Sequence, residues 1–479
     1  MKTTMKIIIY LLFIIPFFAL SQQNSFSENL FTDYETYKES SITQRMFKHS
    51  DIQPLIEKLK LEKGFRVVTL GKSIQGRSIS MISIGNGATN VMLWSQMHGD
   101  ESTATMAIFD IFNYLKKNKE ILNNVTLHFI PMLNPDGAEV FKRRNAIGID
   151  INRDALRLQS PESRILKMAR DSVQADFGFN LHDQSKYYNA EQTNKPATIS
   201  YLAPAYNYEK DINETRGNAM KIIVEMNDII QKYTPGQVGR YSDEFEPRAF
   251  GDNIQKWGTS TILVESGGYK DDPEKQFIRK LNFVSLLGAI HSISTNNYKN
   301  TSIKKYLEIP KNDRKLFDLK LTNVTFQYLE KKYTVDLGIN MAQMNSKDQN
   351  NSNPIGYLRE IGDLSTYYGY ENIDAKNMTF KIGKTYPKIL SSLDEIENLN
   401  FETLLQDGYT TVAMDHIPDE LIFTKYPVKF IAVNDIMITR DNTIPKSPLQ
   451  LGSQPTFLLT KNEELYYAII NGVVYEFGK

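Results

Sequence analysis

Cysteine is absent from all 479 residues. No disulfide can brace the fold, and no thiolate can serve as nucleophile or metal ligand. Any metal site must therefore be made from His, Asp or Glu, and stability must come from a core that a chain of this length can supply. Excess charge is also missing, because 56 Lys and Arg balance 56 Asp and Glu. Nucleic acids and anionic membrane surfaces select basic chains, so no nucleic-acid partner is expected. Histidine is scarce at 6 residues, so each one can be judged singly. What remains is an ordinary globular composition, 41% hydrophobic and 23% charged, on a chain too long for one compact core. Two domains are expected.

The N-terminus has a distinct pattern. Lys2 and Lys6 precede an apolar run from Ile7 to Ala19, and small residues lead to a plausible cut after Ser21. This predicts a signal peptide over residues 1–21 and a secreted or periplasmic mature protein. The run is short for a membrane span, so no stable membrane insertion is expected.

From about Phe65 to Ser294, strand-like and helix-like runs alternate. Val67–Leu70, Ser78–Ile84, Val91–Trp94, Val125–Pro131, Phe177–Leu181 and Thr261–Val264 read as strands. Ala104–Leu115, Glu162–Val173, Asn213–Tyr233 and Glu274–Ser294 carry helical spacing. This predicts an α/β domain over residues 22–300, with a mixed, mostly parallel central sheet flanked by helices. A polar stretch from about Thr295 to Lys304 reads as a linker. Residues 301–479 read as a β-rich domain with a hairpin turn at Asn471-Gly472 and a loop over Asn345–Pro354.

The chemistry concentrates at strand ends. His98-Gly-Asp-Glu101 follows the Val91–Trp94 strand and precedes a helix, the place where active sites of open α/β sheets gather. An H-x-x-E pair is a weak signal by itself. His128 lies inside an apolar strand pattern, His291 in a helix, His49 in the N-terminal segment and His416 in the β-rich part. His182 instead follows a strand, and Glu265 follows another. Three strands thus deliver His98, Glu101, His182 and Glu265 toward one edge. Two His and one Glu suit a single zinc ion with an open fourth position. A further carboxylate that does not bind the metal suits a general base, and Glu265 fits that role.

Taken together, the motifs resemble the zinc carboxypeptidase family, the one that includes pancreatic carboxypeptidase A. They are Gly71-Lys-Ser-Ile-Gln-Gly-Arg77, His98-Gly-Asp-Glu101, Asn134-Pro-Asp-Gly137, Arg143 through Arg153, Leu181-His182 and Val264-Glu265, in family order. The resemblance implies that His98, Glu101 and His182 hold zinc and that Asp150 orients the first His. It implies that Asn152 and Arg153 bind the substrate's terminal carboxylate and that Arg143 stabilises the oxyanion, with Arg144 as its neighbouring competitor. Arg77 resembles a more distant subsite arginine, and Tyr241 is the nearest counterpart of a Tyr that closes over substrate.

Some positions depart from the family pattern. His182 is followed by Asp183-Gln184, and the spacing of Tyr241 to Glu265 differs from the pancreatic one. Asp243, Glu244 and Glu246 read either as an acidic pocket for a basic side chain or as a solvated loop. The implied activity is zinc-dependent release of a C-terminal residue from a peptide. The alternatives are an amidase acting on bacterial cell-wall (peptidoglycan) peptides, an acyl-amino-acid deacylase, and a peptide- or glycan-binding protein. The short stretch after Ser21 leaves no room for a folded pro-domain, so activity without proteolytic activation is expected.

Overall fold

The computed structural model describes residues 26–345, 352–417, 426–432 and 448–478. The expected leader, residues 1–21, lies outside the described residues. The chain forms two compact units that divide between Arg314 and Lys315.

The first unit is organised by an 8-stranded sheet. Its strands are β1 (Phe65–Lys72), β2 (Ser78–Ile84), β3 (Thr89–Trp94), β4 (Val125–Ile130), β5 (Phe177–Asp183), β7 (Ile199–Leu202), β8 (Val238–Arg240) and β9 (Ser260–Ser266). A short pair, β6 (Asn189–Ala190) with β10 (Asn312–Asp313), stands apart from it. The spatial order is β1-β2-β4-β3-β5-β9-β7-β8. β4, β3, β5 and β9 are mutually parallel, while β1, β2 and β7 add antiparallel pairings. This is the mixed sheet with a parallel centre that the alternation of elements predicts.

Both faces of the sheet are covered, which explains why its central strands read as continuous apolar runs. Side chains alternate across a strand. In β3, Val91 and Leu93 enter one core while Met92 and Trp94 enter the other. The first core lies under the helices Thr103–Lys117, Glu214–Ile230 and Gln276–Thr295, which pack on one another. The second lies under Pro161–Val173 and Phe250–Lys256. Each fully buried Leu, Ile, Val or Phe in these layers contributes roughly 1.5–3 kcal/mol. The result is a rigid platform whose strand ends carry the site.

The stretch expected to be a linker is part of this unit. Tyr298 and Tyr306 are buried, and the Tyr306 hydroxyl accepts from Ala203 N at 3.1 Å. β10 pairs with β6 through Asn312↔Ala190 and Asp313↔Asn189. These anchors keep the chain on the first unit up to Arg314, beyond the boundary expected near residue 300. Within that stretch the polar composition hid one contact residue, Tyr298, and Tyr306 and Ile309 follow just after it.

The second unit is rich in strands. Seven of them run in the order β13-β12-β11-β15-β19-β20-β21, and β14 also pairs with β11. Here β11 is Leu316–Tyr328, β12 Lys331–Asn345, β13 Ser352–Gly362, β14 Tyr368–Asp374, β15 Thr379–Lys381, β19 Phe457–Lys461, β20 Glu464–Ile470 and β21 Val473–Glu476. The expected Asn471-Gly472 turn joins β20 to β21, with Ile470 opposite Val473 and φ of 53° and 80° at the two turn residues. Both are positive, as a type I′ hairpin requires. Of the loop expected over Asn345–Pro354, Asn345 belongs to β12 and Ser352–Pro354 to β13, and residues 346–351 lie outside the described residues. A small parallel sheet, β16 (Lys384–Thr385), β17 (Tyr409–Met414) and β18 (Lys429–Ala432), accompanies the helices Leu393–Glu397 and Phe401–Gln406. No helix among the described residues is long and apolar enough to cross a membrane.

Candidate metal centre and active site

His98 sits in the turn after β3. Two backbones pass very close here: a Cβ on Gly99 would lie 2.0 Å from the carbonyl carbon of Gly137. Only glycine fits, which ties the His98-Gly-Asp-Glu101 turn to the Asn134-Pro-Asp-Gly137 turn. Asn134 locks the second turn by accepting from Gly137 N at 2.9 Å and donating to Met97 O and Arg143 O at 3.3 Å.

His182 and Glu265 lie within their strands, each one residue from the end, and they are direct register partners across β5 and β9. The apolar pattern stops before them, but the backbone ladder continues through them. Paired residues in adjacent strands project to the same face. The sheet itself thus sets His182 beside Glu265.

His98, Glu101 and His182 are buried, and one ligand atom from each lies within 4.8 Å of the others. His182 Nδ1 is 3.2 Å from His98 Nδ1 and 2.7 Å from Glu101 Oε2. His98 Nδ1 is 2.9 Å from Glu101 Oε1. Two ring nitrogens that face each other at this separation match ligands around one ion, since a tetrahedral site with bonds of about 2.0–2.1 Å spaces its nitrogens by about 3.3 Å. The donor set, two imidazoles and a carboxylate, fits a borderline divalent metal.

Asp150 does three jobs. It accepts from His98 Nε2 at 3.2 Å, from Asn152 N at 3.0 Å and from Arg143 Nε at 3.1 Å. The first bond turns His98 Nδ1 toward Glu101, and the second caps the short turn Ile151–Arg153. Arg143 also donates to Glu101 Oε1 at 3.3 Å, and its guanidinium lies 3.1 Å from His98 Nδ1. Arg144 points elsewhere and donates to Gly148 O at 2.9 Å.

The electrostatics follow from burial and this crowding. Burial alone would lower the pKa of His98, but the Glu101 charge and the Asp150 hydrogen bond outweigh it and push it up to about 9. Burial holds His182 below its ordinary value despite Glu101. Burial would raise Glu101, yet His98 and His182 hold it well below the usual carboxylate range. Glu265 is pushed well above that range by burial and by the Glu101 charge. Among the described residues, no hydrogen bond or ion pair engages its carboxylate.

These groups line one cleft of about 360 Å³. Asn152, Arg153 and Tyr241 line it as well. Asn152 Oδ1 accepts from Phe250 N at 2.9 Å, and Arg153 donates to Asn152 O at 2.7 Å. Tyr241 faces Tyr188 with ring centroids 5.9 Å apart. Arg77 is not among the residues lining the cleft. Its guanidinium is committed to Asp136 at 2.8 Å and Glu139 at 3.5 Å, and it braces the Asn134 turn. The acidic loop is already neutralised from within. Arg216 pairs with Asp243 at 2.9 Å, Lys210 pairs with Glu244, and Arg248 pairs with Glu246 at 2.9 Å. Among the described residues these pairings leave no free acidic pocket.

Several lining residues escape a reading of the sequence. Asp183 is paired with buried Lys275 at 3.0 Å. Burial pushes Asp252 up to about 7. Gln184, Tyr188 and Arg314 also line the cleft. The Asp183-Gln184 departure was the one signal pointing to two of them; Arg314 had none.

Residues 54–229 match the family model described as zinc carboxypeptidase. Carboxypeptidase SOL1 of Arabidopsis thaliana is 26% identical over 217 residues, covering 37% of this chain and 44% of that protein. Human carboxypeptidase D is 27% identical over 112 residues, covering 19% of this chain and 8% of that protein. A metallo-carboxypeptidase structure from Burkholderia cenocepacia aligns with 17% identity and a TM-score of 0.42, covering 52% of this chain and 70% of that one. The chain thus spans less than half the length of these two curated relatives. Tyr241, Glu265 and Arg314 lie beyond the matched residues, whereas all three ligand candidates and the Arg143–Arg153 stretch lie within them. The segment that carries His98, Glu101 and His182 is thus the part of the chain that matches the zinc carboxypeptidase family model.

Proposed function

We propose that the first unit is a zinc-dependent peptidase that releases the C-terminal residue of a peptide. One observation carries this reading: a metal-sized His98–Glu101–His182 group shares its cleft with the unpartnered carboxylate of Glu265 and with Arg153. Zinc in such a site acts as a Lewis acid that acidifies water and polarises a carbonyl.

The chain's own residues supply the rest. Glu265 accepts the proton of the attacking water and returns it to the leaving amine. Burial beside the Glu101 charge raises its pKa, the direction that helps it hold the proton it later returns. Arg143 places positive charge beside the ligands, where the carbonyl oxygen becomes anionic. Arg153 and Asn152 hold the terminal carboxylate, for which a planar guanidinium offers two parallel donors. Tyr241 covers the substrate from the opposite wall. The basic and apolar N-terminus, Lys2 to Ala19, supports secretion of this enzyme as part of the same reading.

The test is product analysis. Zinc-loaded protein is incubated with peptides that end in a free carboxylate, with their C-terminal amides and with peptidoglycan peptides, and the products are read by mass spectrometry. Loss of one C-terminal residue from the free acids alone is the expected result. Equal cleavage of acids and amides would remove the carboxypeptidase reading. Cleavage confined to peptidoglycan peptides would reassign the substrate to the cell wall.

A further inference from the structure

Among the described residues, one cation lining the cleft has no carboxylate partner. Arg143 is engaged by Asp150 and Glu101, and Arg153 by Glu246 at 3.5 Å. Lys275 is engaged by Asp183. Arg314 also lines the cleft, and no carboxylate among the described residues forms an ion pair with its guanidinium.

Arg314 is exposed, and the backbone leading to it is held by a half-buried polar triangle. Asn312 donates to Gln184 Oε1 at 2.7 Å and is joined to Ser200 Oγ at 2.7 Å, and Gln184 donates to Ser200 Oγ at 2.8 Å. β10 itself is paired to β6. The fit is tight enough that a Cβ on Gly239 would lie 1.9 Å from Asn312 Oδ1. The backbone two residues before Arg314 is therefore held in place. The guanidinium lies 6.0 Å from the centroid of Tyr188, which in turn faces Tyr241. Arg314, Tyr188 and Tyr241 make one wall, and Asn152 and Arg153 line the cleft with them.

The balance of charge then favours a second anion. The acids of the neighbouring loop are matched by Lys210, Arg216 and Arg248. Asp252, held up at about 7 by burial, adds less than a full negative charge at neutral pH. Glu101 and Glu265 face the metal group. The unmatched charge on the remaining wall is positive.

We propose that Arg314 forms a subsite for an acidic side chain, so that the preferred peptides carry Asp or Glu at or next to the C-terminal position. This rests on the peptidase reading for the direction of the chain, with Arg153 taking the terminal carboxylate and Arg314 a second one. A guanidinium stacked near an aromatic ring is well suited to a carboxylate, because the ring limits its freedom and leaves its edge to donate.

The test uses the full zinc-loaded chain and peptide pairs that differ only by Glu against Gln, at the last or the penultimate position. The wild type should prefer the Glu member at one of these positions by about fivefold in kcat/KM, the upper end for a half-solvated ion pair. R314Q should bring that ratio to about one, R314E should invert it, and R314K should keep its sign. The preference should shrink as salt is raised. The same pairs are also titrated onto E265Q by calorimetry, which reads the affinity ratio whether or not any peptide is cleaved. No Glu preference at either position in both measurements overturns the subsite, as does a wild-type ratio retained in R314Q. A Glu preference in binding without hydrolysis of any peptide leaves the subsite standing and overturns the peptidase reading instead.

Discussion

Lys275 Nζ lies 3.0 Å from Asp183 Oδ2, and both side chains are buried, with Asp183 next in sequence to His182. Lys275 also donates to Ser266 O at 2.8 Å, while Thr103 donates to the same Asp183 oxygen at 2.6 Å. The pair joins the start of the Gln276–Thr295 helix to the ends of β5 and β9, the two strands that carry His182 and Glu265. Burial depresses the Lys275 pKa, and the Asp183 charge opposes this.

Removing one partner of a buried pair leaves the other charge stranded. Lys275→Met is therefore expected to destabilise the first unit by about 3–5 kcal/mol, and Lys275→Met with Asp183→Asn by clearly less. Urea denaturation of both variants measures this. Equal destabilisation of the single and double variants would show that packing, not charge, sets the cost.

Metal should stabilise the fold, because the ligand group is assembled in the native state and dispersed in the unfolded one. Chelator should lower the Tm and zinc should restore it, at one ion per chain. Asp150→Ala should weaken zinc affinity by about 10–100-fold, since it removes the acceptor that orients His98. Calorimetric titration with zinc gives both numbers. Unchanged affinity in Asp150→Ala would mean that His98 is oriented by the turn backbone alone.

The platform was legible in the sequence and two of its charged supports were not. Val91–Trp94 and Phe177–Leu181 read as strands because both faces are buried, so every position is apolar. His98, Glu101, His182 and Glu265 were legible because each interrupts or ends such a run. Lys275 and Arg314 carried no such mark. Lysine and arginine are ordinarily exposed, and what places these two is pairing across many residues, Lys275 with Asp183 and β10 with β6. Arg77 misled for the opposite reason: its motif is local, but its guanidinium is consumed by Asp136. The units divide at Arg314/Lys315 rather than near residue 300, because Tyr298, Tyr306 and Ile309 anchor a segment that is mostly polar.

His128 gives a pH signature away from the site. It is buried in β4, with Ser83 Oγ at 2.9 Å from Nδ1 and Asn90 Oδ1 at 3.2 Å from Nε2. Burial holds its pKa down at about 4. The unfolded chain therefore takes up a proton near pH 6.5 that the native chain refuses until about pH 4. Stability should be full above pH 6.5 and fall as the pH drops toward 4, by on the order of 3 kcal/mol from this residue. Denaturation midpoints across that range should fall less steeply in His128→Gln. Parallel slopes in the two proteins would assign the acid sensitivity to other groups.

Glu265 offers the sharpest separation of chemistry from structure. The β9 backbone and its pairing with His182 fix its position, and its carboxylate is not one of the three metal-sized donors. Glu265→Gln preserves shape and removes the proton acceptor. Zinc affinity and peptide affinity should stay close to wild type, since neither requires a base at this position. Turnover should fall by roughly two to four powers of ten, the usual worth of a positioned acid–base group. The loss should appear in kcat with KM little changed, because the group acts mainly in the transition state. Loss of zinc from the variant would make Glu265 a ligand and leave Glu101 without its role. Near-normal turnover would move the base elsewhere. Asp183 would be the weaker successor, because its carboxylate is already held by Lys275 and Thr103 and cannot swing toward the water without breaking a buried pair.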